Sequence, residues 1–505
     1  MSRPGTVTWL AAHELRLGFR DWLSLMTAGR RRRLRTVVIA LAIFGVFMHL
    51  IAYPMVARYA DAQPDLPTLV TVSGILLLSF SLLLSQAMES VTRAFYARAD
   101  LDLILTAPVS PRKVFAVRIA RIAVAVAAMA MAIAVPFVNV LALSGGAHWF
   151  AAYGVVAAMG AIAASLGVAL TVALFRTIGP RRTRFVAQVV AAIIGAAFLI
   201  GLQVVAILSF GSLSRLAPLQ APWLLERVPG PDSAIWVAAR AALGDGFALA
   251  WLLLFAFALL AVTIALFSPR FGDHAIAASG MSQAVVRQRQ RGFRLRSPKQ
   301  MLRRKEWTLL ARDPWLMSQT LMQILYLVPP ALLMWRSFRS GTTALIVLVP
   351  VIVMAAGQLA GGLAWLSISG EDAPDLVATA PIATRSLLWA KIEAVMIAIA
   401  VIFAPFIAAL AVASPWAAAV GGAGVLVAAA AATDVQLCFR VQARRSHFRR
   451  RQTSSRVATF AEAFSSIAWA ATAALVAAGT WFALVPGLAA LAILGGVRLI
   501  APPRD

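Results

Sequence analysis

Asp102, Thr106, Pro108 and Arg112 recur as Asp375, Thr379, Pro381 and Arg385, at a constant offset of 273 residues (375 − 102). Around them, D-L-I-L-T-A-P and D-L-V-A-T-A-P each join a short apolar helical turn to a Thr-Ala-Pro break. That shape presents one apolar edge and suits docking to a partner with two equivalent sockets. A helix lying on a membrane surface would show the same amphipathicity, but repetition of the polar positions favours docking. Residues for catalysis are missing. The chain has no G-x-x-x-x-G-K-[ST] loop, and its lysines, Lys113, Lys299, Lys305 and Lys391, never follow a glycine. ATP is therefore not expected to be bound and split by this chain. His13, His49, His148, His274 and His447 lack metal-ligand spacing, and Cys438 alone excludes an internal disulfide or a zinc framework.

Helices in a bilayer must position the repeated element. Hydrophobic residues make up 61% of the chain and charged ones 13%, with a mean hydropathy of +0.83, too little polar residue to coat a soluble globule. Apolar runs long enough to cross as helices lie near residues 37–57, 68–88, 114–143, 149–175, 185–210 and 247–268. A second six lie near 316–335, 343–368, 386–413, 415–433, 458–478 and 481–500. The run at 149–175 is rich in small residues and that at 415–433 is mostly alanine. The expected fold is an all-α polytopic transmembrane bundle of about twelve spans in two parallel six-helix repeats, because an even number of spans starts both repeats on the same side.

The net charge of +26 follows this topology. With the N-terminus in the cytoplasm, all of the 46 Lys and Arg fall on that side except Arg58, Arg215, Arg227, Arg240, Arg336 and Arg339. The clusters Arg30 to Arg35, Arg287 to Arg296 and Arg444 to Arg451 are expected to attract anionic lipid, at about 1 kcal/mol per cation, and not nucleic acid. The predicted organisation is a first repeat over 1–270, an Arg-rich cytoplasmic linker over 271–300 and a second repeat over 301–505. Only the first repeat carries a proline-marked external segment, Gly211 to Gly246, suited to interfacial or re-entrant helices. Glu89, Arg118, Arg121, Lys391, Glu393, Asp434 and Glu462 lie within a few turns of cytoplasmic helix ends, where long side chains snorkel. Glu393, close to Lys391, is expected to form a structural pair, and His49 to hydrogen-bond to a neighbouring helix.

The D-L-D-L-I-L-T-A-P-V-S-P-R-K segment, preceded by an amphipathic N-terminal stretch, resembles the membrane-spanning permease subunit of type-2 ABC exporters. R-K-E-W-T-L-L-A-R-D-P from Arg304 to Pro314 is similar to that family's segment before its first span. The resemblance implies coupling helices that contact ATPase subunits, at Asp100, Asp102, Thr106, Pro108 and Arg112 and at Asp372, Asp375, Thr379, Pro381 and Arg385. It also implies elbow helices at Glu14, Arg20 and Asp21 and at Glu306, Arg312 and Asp313. The chain departs from the family pattern in fusing two six-span units, so one copy would supply the pathway and two ABC ATPase subunits would dock beneath it. No cofactor is expected on this chain, with ATP on the partner, and the expected location is the cell inner membrane with both termini cytoplasmic. The alternatives are a twelve-span secondary transporter built from parallel repeats and a non-enzymatic membrane assembly scaffold. The scarcity of mid-membrane carboxylates speaks against the first, and no catalytic cluster supports a membrane-embedded enzyme.

Overall fold

The computed structural model describes residues 6–27, 34–96, 110–210, 217–270, 297–312, 343–369, 377, 379, 381–439 and 456–500, with isolated positions in 321–332. Among the described residues every regular element is a helix, and 11 helical segments are long and apolar enough to cross a membrane. They coincide with eleven of the twelve expected spans; the remaining one, near 316–335, falls mostly outside the described residues. The chain divides into two compact units, Met1–Ala206 with Ser214–Gln288, and Ile207–Leu213 with Arg289–Asp505.

The first unit opens with an amphipathic helix, α1 (Val7–Thr27), that leaves Leu15, Leu17 and Phe19 exposed. Helices α2 (Leu34–Val56), α3 (Leu66–Tyr96) and α4 (Pro111–Gly145) follow. Helix α4 starts abruptly because Ser110 is extended (φ −61, ψ 126) and Pro111 takes the first helical turn, where its missing N–H is no loss. Helix α5 (Ala151–Phe210) contains two candidate spans separated at Gly179, whose φ of 75 and ψ of 164 are almost confined to glycine. Pro180 then restarts the helix with its φ already suitable, and Thr183 Oγ1 donates to the Gly179 carbonyl at 2.8 Å.

Of the segment Gly211 to Gly246, expected to be external, residues 217–246 are described and form short helical pieces, including α6 (Pro222–Leu225) and α7 (Val237–Ala242). Leu219, Trp236 and Ala239 pack on Leu69 and Val70 of α3, and Leu219 fills the space left by Gly74. Trp236 Nε1 donates to the carbonyls of Pro229 and Gly230, which fixes the turn between the pieces. Asp245 caps the next helix, α8 (Gly246–Phe267), by accepting from the Ala248 N–H at 3.0 Å.

The second unit comprises α9 (Pro298–Arg312), α10 (Thr343–Ser369), α11 (Thr384–Ala413), α12 (Pro415–Phe439), α13 (Arg456–Ala477) and α14 (Leu484–Ile500). Its core lies where α10, α12 and α13 meet, lined by Val353, Ala356, Ala360, Ala428, Ala429 and Ala432. This explains the alanine-rich composition of the span at 415–433. About half of it is buried against protein, where small side chains let the backbones approach, while Trp416, Leu426 and Val427 stay exposed. The small-residue span at 149–175 is likewise mostly buried in its own unit, where Gly167 sits against the backbone of Ala87 and Met88. By contrast α2, α8 and α14 expose large side chains such as Phe47, Phe255 and Leu488, a surface suited to hydrocarbon.

Candidate functional site

The polar architecture is concentrated where each amphipathic helix meets the helix that follows a D-L-x-x-T-A-P segment. In the first unit Glu14 of α1 pairs with Arg121 of α4 at 3.2 Å, with side chains 17% and 42% exposed. In the second, Glu306 of α9 is fully buried and pairs with Lys391 of α11. Lys391 Nζ donates to both carboxylate oxygens of Glu306, at 3.1 and 3.3 Å, and to the carbonyl of Ser367 near the end of α10. Lys305 adds a second cation 3.4 Å from Glu306. One helical turn before Glu306, Arg303 holds Glu393 through two contacts of 2.7 Å, the structural pairing expected of Glu393.

These contacts hold α9 to α11 by paired and hydrogen-bonded charges. A carboxylate with no solvent access carries a desolvation penalty of several kcal/mol, and loss of its cation would leave that penalty uncompensated. The Ser367 carbonyl lies in the last turn of α10, where helix carbonyls lack an intrahelical partner, so the Lys391 ammonium also caps that helix. Lys391 therefore does not snorkel: its ammonium has acceptors inside the protein, and its side chain is only 9% exposed.

Of the residues expected to dock an ATPase, Arg112 is exposed in the first turn of α4, and Thr379, Pro381 and Arg385 are exposed before and at the start of α11. Asp100, Asp102, Thr106, Pro108, Asp372 and Asp375 lie outside the described residues, as does Asp313. Arg20 is exposed on α1, Asp21 lies within the same helix, and Arg312 closes α9. The segments rejoin regular structure in the same way. Ala383 before α11 has φ −61 and ψ 126, the values at Ser110 before α4, and the two positions share the 273-residue offset (383 − 110).

Two further polar contacts lie within candidate spans. Glu462 of α13 is buried, and its carboxylate accepts from Gln436 Nε2 of α12 at 2.5 Å. It rests against the Cα of Gly361, where any Cβ would overlap it, so it too does not snorkel. One turn away on α10, Gly357 makes the same room for Ser466. In the first unit Tyr153 donates to Asn139 Oδ1 at 2.6 Å, while Asn139 Nδ2 lies 3.2 Å from His49 Nε2. His49 Nδ1 lies 2.7 Å from the Gly45 carbonyl. A carbonyl can only accept, so His49 carries its proton on Nδ1 and accepts from Asn139, the interhelical bond expected of it. No cluster of metal ligands occurs among the described residues.

Lys391, Ser367, Arg303 and Arg121 were absent from the sequence-derived site. The available signal was the offset itself, which places Arg118 opposite Lys391, a cation in the second turn of each helix (391 − 118 = 273). Neither a curated protein nor a solved structure matches the chain. The model of the family described as "Putative ABC exporter" matches residues 33–323, more than half of the chain, and the chain belongs to that family.

Proposed function

We propose that this multi-pass membrane protein is the permease of an ATP-driven exporter, forming the substrate pathway and docking two separate ABC ATPase subunits. The family match over residues 33–323 carries this reading. It spans the first docking segment and reaches the second elbow helix with Glu306. The two units are read as fused, parallel permease repeats. In support, both third-span helices begin with the same backbone geometry at the same offset, and both elbow helices are ion-paired to those helices. Residues Asp100 to Arg112 and Asp372 to Arg385 act as coupling elements facing the cytoplasm, and ATP is hydrolysed on the partner, since the sequence has no phosphate loop. The basic linker and both termini lie on that cytoplasmic side of the inner membrane.

Charge around the two docking segments differs, with Arg93, Arg98, Arg112 and Lys113 near the first and Glu371, Asp372 and Asp375 near the second. Reversal of Glu371 and Asp372, compared with reversal of Arg112 and Lys113, is expected to weaken ATPase co-purification unequally. Equal losses would remove the inequality but leave docking intact, and no loss from either would contradict the docking role of these segments.

The buried Glu462–Gln436 contact is the one observation that favours a secondary transporter, because a carboxylate inside a span is a natural cation site. Substrate movement in vesicles under an imposed proton gradient without ATP would support that alternative. Movement only with ATP and the ATPase supports the exporter.

A further inference from the structure

Residues 370–383 connect α10 to α11, and both ends of this connection are tied to a single side chain. Ser367, two residues before the end of α10, gives its carbonyl to Lys391, which stands in the second turn of α11. The same ammonium holds both oxygens of Glu306 in the elbow helix α9. The two Glu306 oxygens come from α9 and the Ser367 carbonyl from α10, so this one ammonium on α11 joins three helices. Glu306 has no solvent to fall back on and its other cation, Lys305, is part-exposed, so parting from Lys391 would leave the buried carboxylate poorly compensated. The corresponding pair in the first unit is different in kind. Glu14 takes Arg121, one turn beyond the Lys391-equivalent Arg118, and both partners remain in reach of water.

We propose that the Glu306–Lys391–Ser367 node is the rigid joint through which the second docking segment moves its elbow helix, and that Lys391 is its positioning residue. The proposal rests on the reading that residues 372–385 engage an ATPase. In the first unit the Glu14–Arg121 contact stays in reach of water and is expected to hold its helix less tightly.

The test uses the full chain in nanodiscs, with Cys438→Ser and spin labels at Met301 on the elbow and Ile382 in the docking segment, both exposed. A second pair at Trp416 and Phe464, both exposed and away from the node, reports whether the bundle is intact. The 301–382 distance distribution is expected to be narrow with Lys391 and to broaden about twofold in Lys391→Met, with the 416–464 distribution unchanged. Lys391→Arg, which keeps the charge and its donors, is expected to restore the narrow distribution. If Lys391→Met disturbs both pairs, Glu306→Gln decides, since it removes the charge with little change in volume and is expected to broaden 301–382 alone. Narrow 301–382 distances in Lys391→Met or in Glu306→Gln would overturn the proposal, as would Lys391→Arg behaving like Lys391→Met.

A coupling readout is taken on the co-purified complex with a non-hydrolysable ATP analogue. The 301–382 distance is expected to hold on nucleotide addition with Lys391 and to shift in Lys391→Met; a shift with Lys391 in place would overturn the joint. The nanodisc measurement needs no ATPase, so absence of a co-purifying ATPase would count against the exporter reading and not against the node.

Discussion

Gly361→Ala probes how tightly the second unit is built around its buried carboxylate. The added Cβ would lie 2.1 to 2.3 Å from the carboxyl atoms of Glu462, far inside van der Waals contact. An exposed glutamate would swing away, but this one is buried and holds Gln436 at 2.5 Å. Two terms follow. Overpacking a close-packed site costs about 1–3 kcal/mol. Displacing the carboxylate from Gln436 loses a charge-assisted hydrogen bond of about 1.5–3 kcal/mol. A total of about 3–5 kcal/mol corresponds to a rise of roughly 150-fold or more in locally open molecules. The chain supplies its own reporter, since Cys438 is the one cysteine and is buried on α12 two residues from Gln436. Its rate of reaction with a maleimide in nanodiscs should rise by that factor in Gly361→Ala. In Gly361→Ala combined with Glu462→Ala the effects should be clearly less than additive, because the second change removes the atoms that the new methyl strikes. Reactivity within about twofold of the parent, against the 1.4 kcal/mol needed per tenfold, or strict additivity in the double variant, would refute this packing.

Further changes test the rest of the structure by thermal unfolding in detergent. Gly179→Ala meets nothing within 4 Å, so its expected loss of about 1–3 kcal/mol is purely backbone strain. Gly201→Ala, also in open space but within a helix, should be neutral or slightly stabilising, and equal effects at the two sites would contradict the break between the spans of α5. Trp149→Phe removes the 3.0 Å donation to the Ala60 carbonyl and should lower stability by about 1–3 kcal/mol, with no change meaning that this carbonyl finds another donor. Arg121→Ala breaks a solvated pair and should cost less than about 1 kcal/mol. Lys391→Met leaves buried Glu306 with only the part-exposed Lys305 beside it and should cost more, up to about 3–5 kcal/mol, so similar losses would contradict the difference in burial between the Glu14 and Glu306 pairs.

Spans were legible from hydropathy because lipid-facing helices such as α8 must be apolar along their whole length. Even the weaker signals at 149–175 and 415–433 marked real helices. Their small residues fit helices that are 67% and 50% buried against protein. The Gly179-Pro180 step that separates two spans is readable as a break, although the helices on either side run almost without interruption. Burial of charge was not readable. Lys391 and Glu462 near helix ends look like snorkelling side chains until the opposing faces are known, and those faces depend on Glu306, Ser367, Gln436 and Gly361, far away in sequence. One clue lay in the Gly357/Gly361 spacing on α10, which marks a close approach but does not say what approaches.

Co-purification tests the exporter reading most directly. The full chain, extracted from its native membrane in mild detergent and isolated by a tag, is weighed by native mass spectrometry and its companions are sequenced. Two copies of a phosphate-loop ATPase per chain, reduced when the two docking segments are charge-reversed, are the predicted result. A chain that migrates alone under conditions preserving other membrane complexes, and that transports in vesicles without ATP, would contradict it.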